Sequence, residues 1–315
     1  MIVTLAGGVG AARFLIGLVR AHDEADCTAI VNVADDVVLH GLAISPDLDT
    51  VTYTLAGEID PDRGWGLRDE TWQAMATVQR YGGISWFNLG DRDLGTHLYR
   101  THRLSEGATL SEVTAEIVRS WGLRLRVLPV TNDRVETRVV LRDGDEETPA
   151  GGEVNFQEYF VKRRHGVAVS SVRFVGADIA RPAPSVLDAI AHADAVVIAP
   201  SNPLVSIGPV LAVPGVRDAL RARRERSVAI SPIVGGAALK GPADRMLVEL
   251  GHESSVVGVA RLYRDIASVL VVDDVDRALA PLVEAEGMRC VVTDTIMKTP
   301  ERAAALARTT LGVWV

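Results

Sequence analysis

The feature that most limits what this chain can fold into lies at its N-terminus. Ile2–Leu5 is a short apolar run of strand type, Gly7-Gly8-Val9-Gly10 follows at once, and an amphipathic stretch continues from Gly10 to His22. Strand, glycine turn and helix in immediate succession form the opening half of a βαβ unit, which implies a parallel sheet with helices on its faces. The same rhythm returns later in the chain. Further strand-type runs lie at Ala29–Val33, Ala195–Ala199, Ser227–Ser231, Ser255–Val259, Ser268–Val272 and Arg289–Thr293. Helical patterns lie at Ser185–His192, Val216–Arg224, Ala243–Leu250, Val275–Glu286 and Pro300–Leu311. Near-continuous Val/Ile/Ala runs of this length are what strands buried on both faces look like.

The expected fold class is therefore α/β: a Rossmann-like, doubly wound, mostly parallel sheet with a smaller helical and strand-rich insertion. Residues 1–45 and 186–315 supply the core, and 46–185 form the lid and insertion. Within the insertion, Leu67–Tyr81 reads as a helix and Ile84–Leu89 as a short strand. Leu110–Trp121 reads as a helix opened by Thr109 or Ser111. Arg134–Arg142, with Asp143-Gly144 after it, suggests a hairpin continuing through Val154–Val161. A chain of 315 residues is long enough for about two domains.

A net charge of −8 argues against a nucleic-acid or anionic-membrane surface while leaving room for a local basic pocket. The two cysteines, Cys27 and Cys290, sit far apart beside apolar residues, which disfavours disulfide, zinc-ribbon and thiol-redox readings. No apolar run reaches the length of a membrane span, and the N-terminus lacks a signal-peptide plan, so a cytoplasmic location is expected.

Chemistry is expected where strands end. In the first turn, glycines at 7, 8 and 10 let the backbone approach a phosphate, the N–H groups of the following helix stabilise its charge, and Arg13 adds a cation. The spacing Gly8-x-Gly10-x-x-Arg13 lacks the third glycine of the dinucleotide fingerprint and has no Walker lysine. Asn32-Val33-Ala34-Asp35-Asp36 ends the second strand, where Asp35 and Asp36 either face a nucleotide sugar or metal or cap a helix. In Ser45-Pro46-Asp47-Leu48-Asp49-Thr50, two carboxylates in an extended loop would project to one side and share a hard divalent cation; alternatively Asp49 caps a helix starting at Thr50. Trp86–His97 combines two aromatics with Asn88, charged groups and an imidazole, a set that suits a flat heterocycle with a polar tail or else a core aromatic pair. Loops holding Asn202 and Ser206, Gly235 and Gly236 with Lys240, and Asp294–Thr299 end later strands. No GxSxG elbow, reactive cysteine or zinc motif is present, and direct phosphoryl transfer needs none of them.

Taken in order along the chain, Leu5–Arg13, Asn32–Asp36, Ser45–Val51, Gly64–Trp72, Trp86–His97, Leu128–Asp133, Pro200–Pro209, Ser231–Pro242 and Asp294–Thr299 resemble the 2-phospho-L-lactate transferase family of coenzyme F-420 biosynthesis. The resemblance implies a Mg²⁺-dependent transfer from a guanosine diphosphate ester of a three-carbon acid, lactyl or enolpyruvyl, to the ribityl hydroxyl of a deazaflavin, with GMP leaving. It also implies a homodimer. By the same resemblance Asp49, with Asp47, marks the catalytic and metal region, and Asn88 is a deazaflavin contact. Gly7, Gly8 and Gly10 cradle the diphosphate, and Asn202, Ser206 and Gly235–Gly236 hold guanosine. The alternative is a nucleotide-binding relative of the same fold without transferase activity.

Overall fold

Seven strands form one parallel sheet because the most continuous apolar runs in the chain are the ones buried on both faces. In the computed structural model, which describes residues 1–314, these are β1 (Ile2–Ala6), β2 (Cys27–Val31), β3 (Arg126–Pro129), β4 (Ala195–Ile198), β5 (Ser227–Ile230), β6 (Val269–Val272) and β7 (Arg289–Val292). Their spatial order is β7-β6-β5-β4-β1-β2-β3. Every residue of β1, β2, β4, β5 and β6 is buried, whereas the edge strands β3 and β7 carry exposed arginines. The chain runs outward from β1 to β3, then returns to β4 on the other side of β1. That reversal leaves a crevice beyond the carboxyl ends of β1 and β4.

The first five α-helices in the chain are α1 (Gly8–Ala21), α2 (Pro46–Leu55), α3 (Gln73–Arg80), α4 (Asp93–Ser105) and α5 (Leu110–Ser120). α1 packs between α2 and the C-terminal helix Pro300–Leu311. Gly17 is the contact point with the latter: a Cβ there would lie 2.2 Å from the carbonyl carbon and oxygen of Ala303. Backbone cannot yield as a side-chain tip can, so Gly17→Ala is expected to destabilise the protein by about 3 kcal/mol and to lower Tm by roughly 6–12 °C. Thermal denaturation checks this, and a loss under about 2 °C would show that the two helices separate freely.

Several sequence expectations need correction. Ser255–Val259 is not a strand. Val256–Tyr263 is a helix whose N-cap, Ser255, accepts hydrogen bonds from the N–H groups of Val257 and Gly258; the capping hydroxyl outweighs the β-branched run behind it. Ile84–Leu89 forms no strand either, and Leu89 is buried instead with Leu39, Ile44 and Met75 against Trp86 and Phe87. The helix expected over Leu67–Tyr81 is confined to α3, because Glu70 is used to cap a different helix. The hairpin expected through Val154–Val161 pairs only Glu153–Asn155 before a short helical turn, Glu158–Lys162, intervenes. Finally, the insertion is not a single block over 46–185. α2 lies on α1 and β3 belongs to the main sheet, so the chain returns to the core twice before the three-stranded sheet of residues 136–175 is made. That small sheet shares a core with the main body through Val205 and Met246. Among the described residues no single helix is long and apolar enough to cross a membrane.

Candidate active site

The crevice opens into a cavity of ≈620 Å³, a size suited to a nucleotide-scale ligand. Its floor is built from strand ends: Gly7, Gly8 and Gly10 after β1, Asp35 after β2, Pro200–Asn202 after β4, Ser231 after β5 and Thr295 after β7. Its far wall comes from Trp65, Trp86, Phe87, Asn88, Phe156 and Phe160.

The glycine turn is shaped by two separate demands. Gly8 opens α1 with φ +69°, a backbone region that favours glycine, and a Cβ on Gly10 would lie 2.2 Å from the Pro200 carbonyl oxygen. The turn therefore lies directly against the β4 loop at the switch point. Asp47 sits at this helix N-terminus, with Oδ1 3.8 Å from where a Cβ on Gly8 would lie.

Asp47 and Asp49 lie in the first turn of α2, not in an extended loop, and the helix begins at Pro46 rather than Thr50. Residues two apart on a helix point to different sides, so the two carboxylates do not form the shared pair expected from sequence. Asp47 instead meets Asp35. The side-chain amide of Asn32 donates to both, at 3.0 Å to each. Burial pushes the Asp47 carboxyl up to about 6. Burial, reinforced by the charge of Asp47, holds the Asp35 carboxyl well above the ordinary carboxylate range. Asp35 is 6% exposed, and its Oδ1 has no hydrogen-bond partner. Two buried carboxylates, one with an oxygen that has no partner, could contribute two ligands to a hard divalent cation. A phosphate at the α1 N-terminus would also face Asp47, and either a cation between them or protonation of Asp47 would relieve that repulsion.

Asp49 belongs to a different cluster. Both its oxygens accept hydrogen bonds from the guanidinium of Arg100, a residue of α4. His97 lies beside them, with Nδ1 3.8 Å from Asp49 and Nε2 3.3 Å from Asp93. Tyr53 donates to Asp93 at 2.7 Å. Although burial opposes it, the His97 and Tyr53 hydrogen bonds hold the Asp93 carboxyl below its ordinary value. α4 is fixed at its start by Glu70, whose carboxylate accepts the backbone N–H groups of Arg92 and Asp93. The sequence reading did not single out Tyr53, Asp93 or Arg100, or Asn32 as a bridge. The signal was present: Asp93, His97 and Arg100 stand at i, i+4 and i+7, one face of a helix.

Of the remaining expected site residues, Arg13, Asn88, Asn202 and Ser206 line the cavity. The Asn202 side-chain oxygen caps the turn at Leu204 and Val205, and its amide nitrogen donates to the Met246 sulfur at 3.8 Å. Asp36, Gly235 and Gly236 are off the wall. Asp36 is half-buried and accepts a 2.6 Å hydrogen bond from Ser45, and the Gly235 N–H donates to Asp276. The glycine-pair loop contributes Leu239 and Lys240 to the cavity instead. Arg13, Lys240 and Lys298 all line the cavity, and none of them pairs with a carboxylate among the described residues. Burial, then the charge of Arg13, lowers the Lys240 pKa. These three cations share the crevice with the carboxylates of Asp35, Asp47, Asp49 and Asp93.

Residues 2–310 match the family model described as 2-phospho-L-lactate transferase CofD. The chain is 47% identical to a phosphoenolpyruvate transferase of Streptomyces griseus subsp. griseus, over 98% of this chain and 97% of that one. It is 46% identical to the protein of the same name from Kitasatospora aureofaciens, over 99% and 97%. A solved structure of a UPF0052-family protein from Bacillus halodurans matches with a TM-score of 0.62 at 18% identity, covering 98% of each chain, which extends the likeness of fold alone. The chain belongs to the 2-phospho-L-lactate transferase CofD family.

Proposed function

We propose that this protein transfers an enolpyruvyl phosphate group from a guanosine diphosphate ester to the terminal ribityl hydroxyl of 7,8-didemethyl-8-hydroxy-5-deazariboflavin, in biosynthesis of coenzyme F-420. The observation that carries the reading is the cavity itself. A glycine turn, three cations without an ion-pair partner among the described residues, the aromatic side chains Trp65, Trp86 and Phe87 beside Asn88, and the carboxylates of Asp35, Asp47 and Asp49 all line one cavity. The relatives' name, phosphoenolpyruvate transferase, favours the enolpyruvyl over the lactyl donor.

In this reading the diphosphate lies on the N–H groups at the start of α1, with Arg13 and Lys240 against its charge. The guanosine lies toward Asn202 and Ser206, and the deazaflavin ring lies along Trp86 and Phe87. The acceptor hydroxyl donates to Asp49 and is thereby aimed at the phosphorus that carries the three-carbon acid. A new P–O bond forms there, the bond to the bridging oxygen breaks, and GMP departs with the electron pair while the hydroxyl proton is released. Asp49 need not be a strong base, since phosphoryl transfer depends mainly on alignment and on neutralising charge. Asp35 and Asp47 are the residues that would hold Mg²⁺, which when bound supplies positive charge to the phosphate oxygens. A second copy of the chain would complete a homodimer.

Mass spectrometry of purified protein with Mg²⁺, the deazaflavin and each guanosine diphosphate ester in turn tests the proposal. The expected result is a deazaflavin phosphodiester together with GMP, formed faster from the enolpyruvyl ester. Binding of GDP without product from either ester would replace it with the nucleotide-binding reading.

A further inference from the structure

We propose that Arg100 is a positioning residue: from behind the cavity wall it fixes the direction of the Asp49 carboxylate, and Asp93 and His97 in turn fix Arg100. The inference rests on the reading above, in which Asp49 meets the acceptor hydroxyl.

Arg100 stands apart from the wall that its partners form. Asp49, Asp93, His97 and Tyr53 all line the cavity, and Arg100 does not. Its guanidinium is 2% exposed and lies behind the carboxylate it grips. One nitrogen donates to Asp49 Oδ2 at 3.1 Å, and the other donates to Oδ1. A carboxylate offers about four lone-pair sites, and this grip uses two, so two remain for a ligand. Fork-to-fork contact also removes rotation about the carboxylate axis, which a single hydrogen bond leaves free.

Energetics point the same way. A buried ion pair seldom stabilises a protein relative to apolar residues of the same volume, because desolvation offsets the attraction. Here the pair is also imperfect, since the Arg100 Nε–H is buried with no acceptor. Such an arrangement is poorly explained as a stabilising device and well explained as one that sets geometry.

Further contacts brace Arg100 from behind. The nitrogen that holds Asp49 Oδ2 also lies 3.4 Å from His97 Nδ1 and 3.4 Å from the Ala43 carbonyl. The other ring nitrogen, Nε2, faces Asp93 at 3.3 Å. Asp93 is held by Tyr53 at 2.7 Å. Atoms of Asp49, Asp93 and His97 lie within 4.8 Å of one another, a spacing that would also suit a metal ion. Arg100 already supplies the positive charge and occupies both Asp49 oxygens, so the guanidinium takes the place of a cation in this cluster.

The test is a double-mutant cycle of wild type, R100K, D49N and R100K/D49N. Lysine keeps the charge but cannot grip both oxygens. R100K is expected to lower kcat by about 10–100-fold with the donor KM within about twofold, the range seen when an orienting partner is lost. The double variant is expected to be no slower than D49N, because a residue acting only through Asp49 has nothing left to orient. Losses that multiply, or an unchanged kcat in R100K, would overturn the proposal. If R100K does not fold, H97Q takes its place in the cycle with the same pattern at about threefold to tenfold. If the wild type shows no turnover at all, it is the transferase reading that falls. The cycle is then read in thermal unfolding with R100M, where a Tm loss smaller in the D49N background than in wild type supports the coupling and equal losses refute it.

Discussion

Asp49→Asn is expected to lower turnover by a factor of about 100 or more while the protein remains folded and still binds the guanosine ester. The size follows from position: Asp49 is 6% exposed, opens onto the cavity, and has both oxygens aimed by Arg100. Asparagine keeps the shape but replaces one acceptor oxygen with an N–H group that would face the Arg100 guanidinium. The hydroxyl then loses its partner at the moment of attack, whereas donor binding, centred on the glycine turn and the cations, is left alone. Steady-state kinetics with saturating Mg²⁺ checks this. A turnover within about threefold of wild type would remove Asp49 from the chemistry.

The second large effect is expected at the Asp35–Asp47 pair. Asp47→Asn should reduce transferase activity about 100-fold or more and weaken Mg²⁺ binding, and it should also raise the Tm of the metal-free protein. The sign follows from linkage. The Asp47 carboxyl is raised to about 6 in the folded protein, against about 3.9 in an unfolded chain. Between those values the native state binds more protons than the unfolded state, so stability without metal falls as pH rises from about 4 to about 6 and stays low above it. A divalent cation removes that penalty. Mg²⁺ should therefore raise Tm more at pH 7.5 than at pH 5 in wild type, and little at either pH in Asp47→Asn. Calorimetry with and without a chelator measures this, and an equal Mg²⁺ effect in both proteins would place the cation elsewhere.

Reading the two acids as partners was the main error available from sequence. Asp47 and Asp49 alternate as if on an extended segment, and only the helix that starts at Pro46 turns them apart, one toward Asn32 and Asp35 and the other toward Arg100. The misread Ser255–Val259 has the same origin. Val-Val-Gly-Val suits a buried strand or a buried helix equally, and the deciding contact is the Ser255 hydroxyl on two backbone N–H groups. By contrast Thr109 and Glu112 announce the start of α5 by a reciprocal cap that spans three residues, and Thr299 caps the final helix in the same local way.

The sequence by itself determined the alternation of buried strands and helices, the glycine turn after β1 and the family. All of these depend on neighbours within a few residues or on patterns that repeat along the chain. Only the tertiary structure decided that β3 completes the main sheet, that Lys240 rather than Gly235 and Gly236 reaches the cavity, and that Arg100 stands behind Asp49. Those outcomes depend on helix phase and strand order. Both are set by how the whole apolar surface is buried, and no short window of residues contains that information.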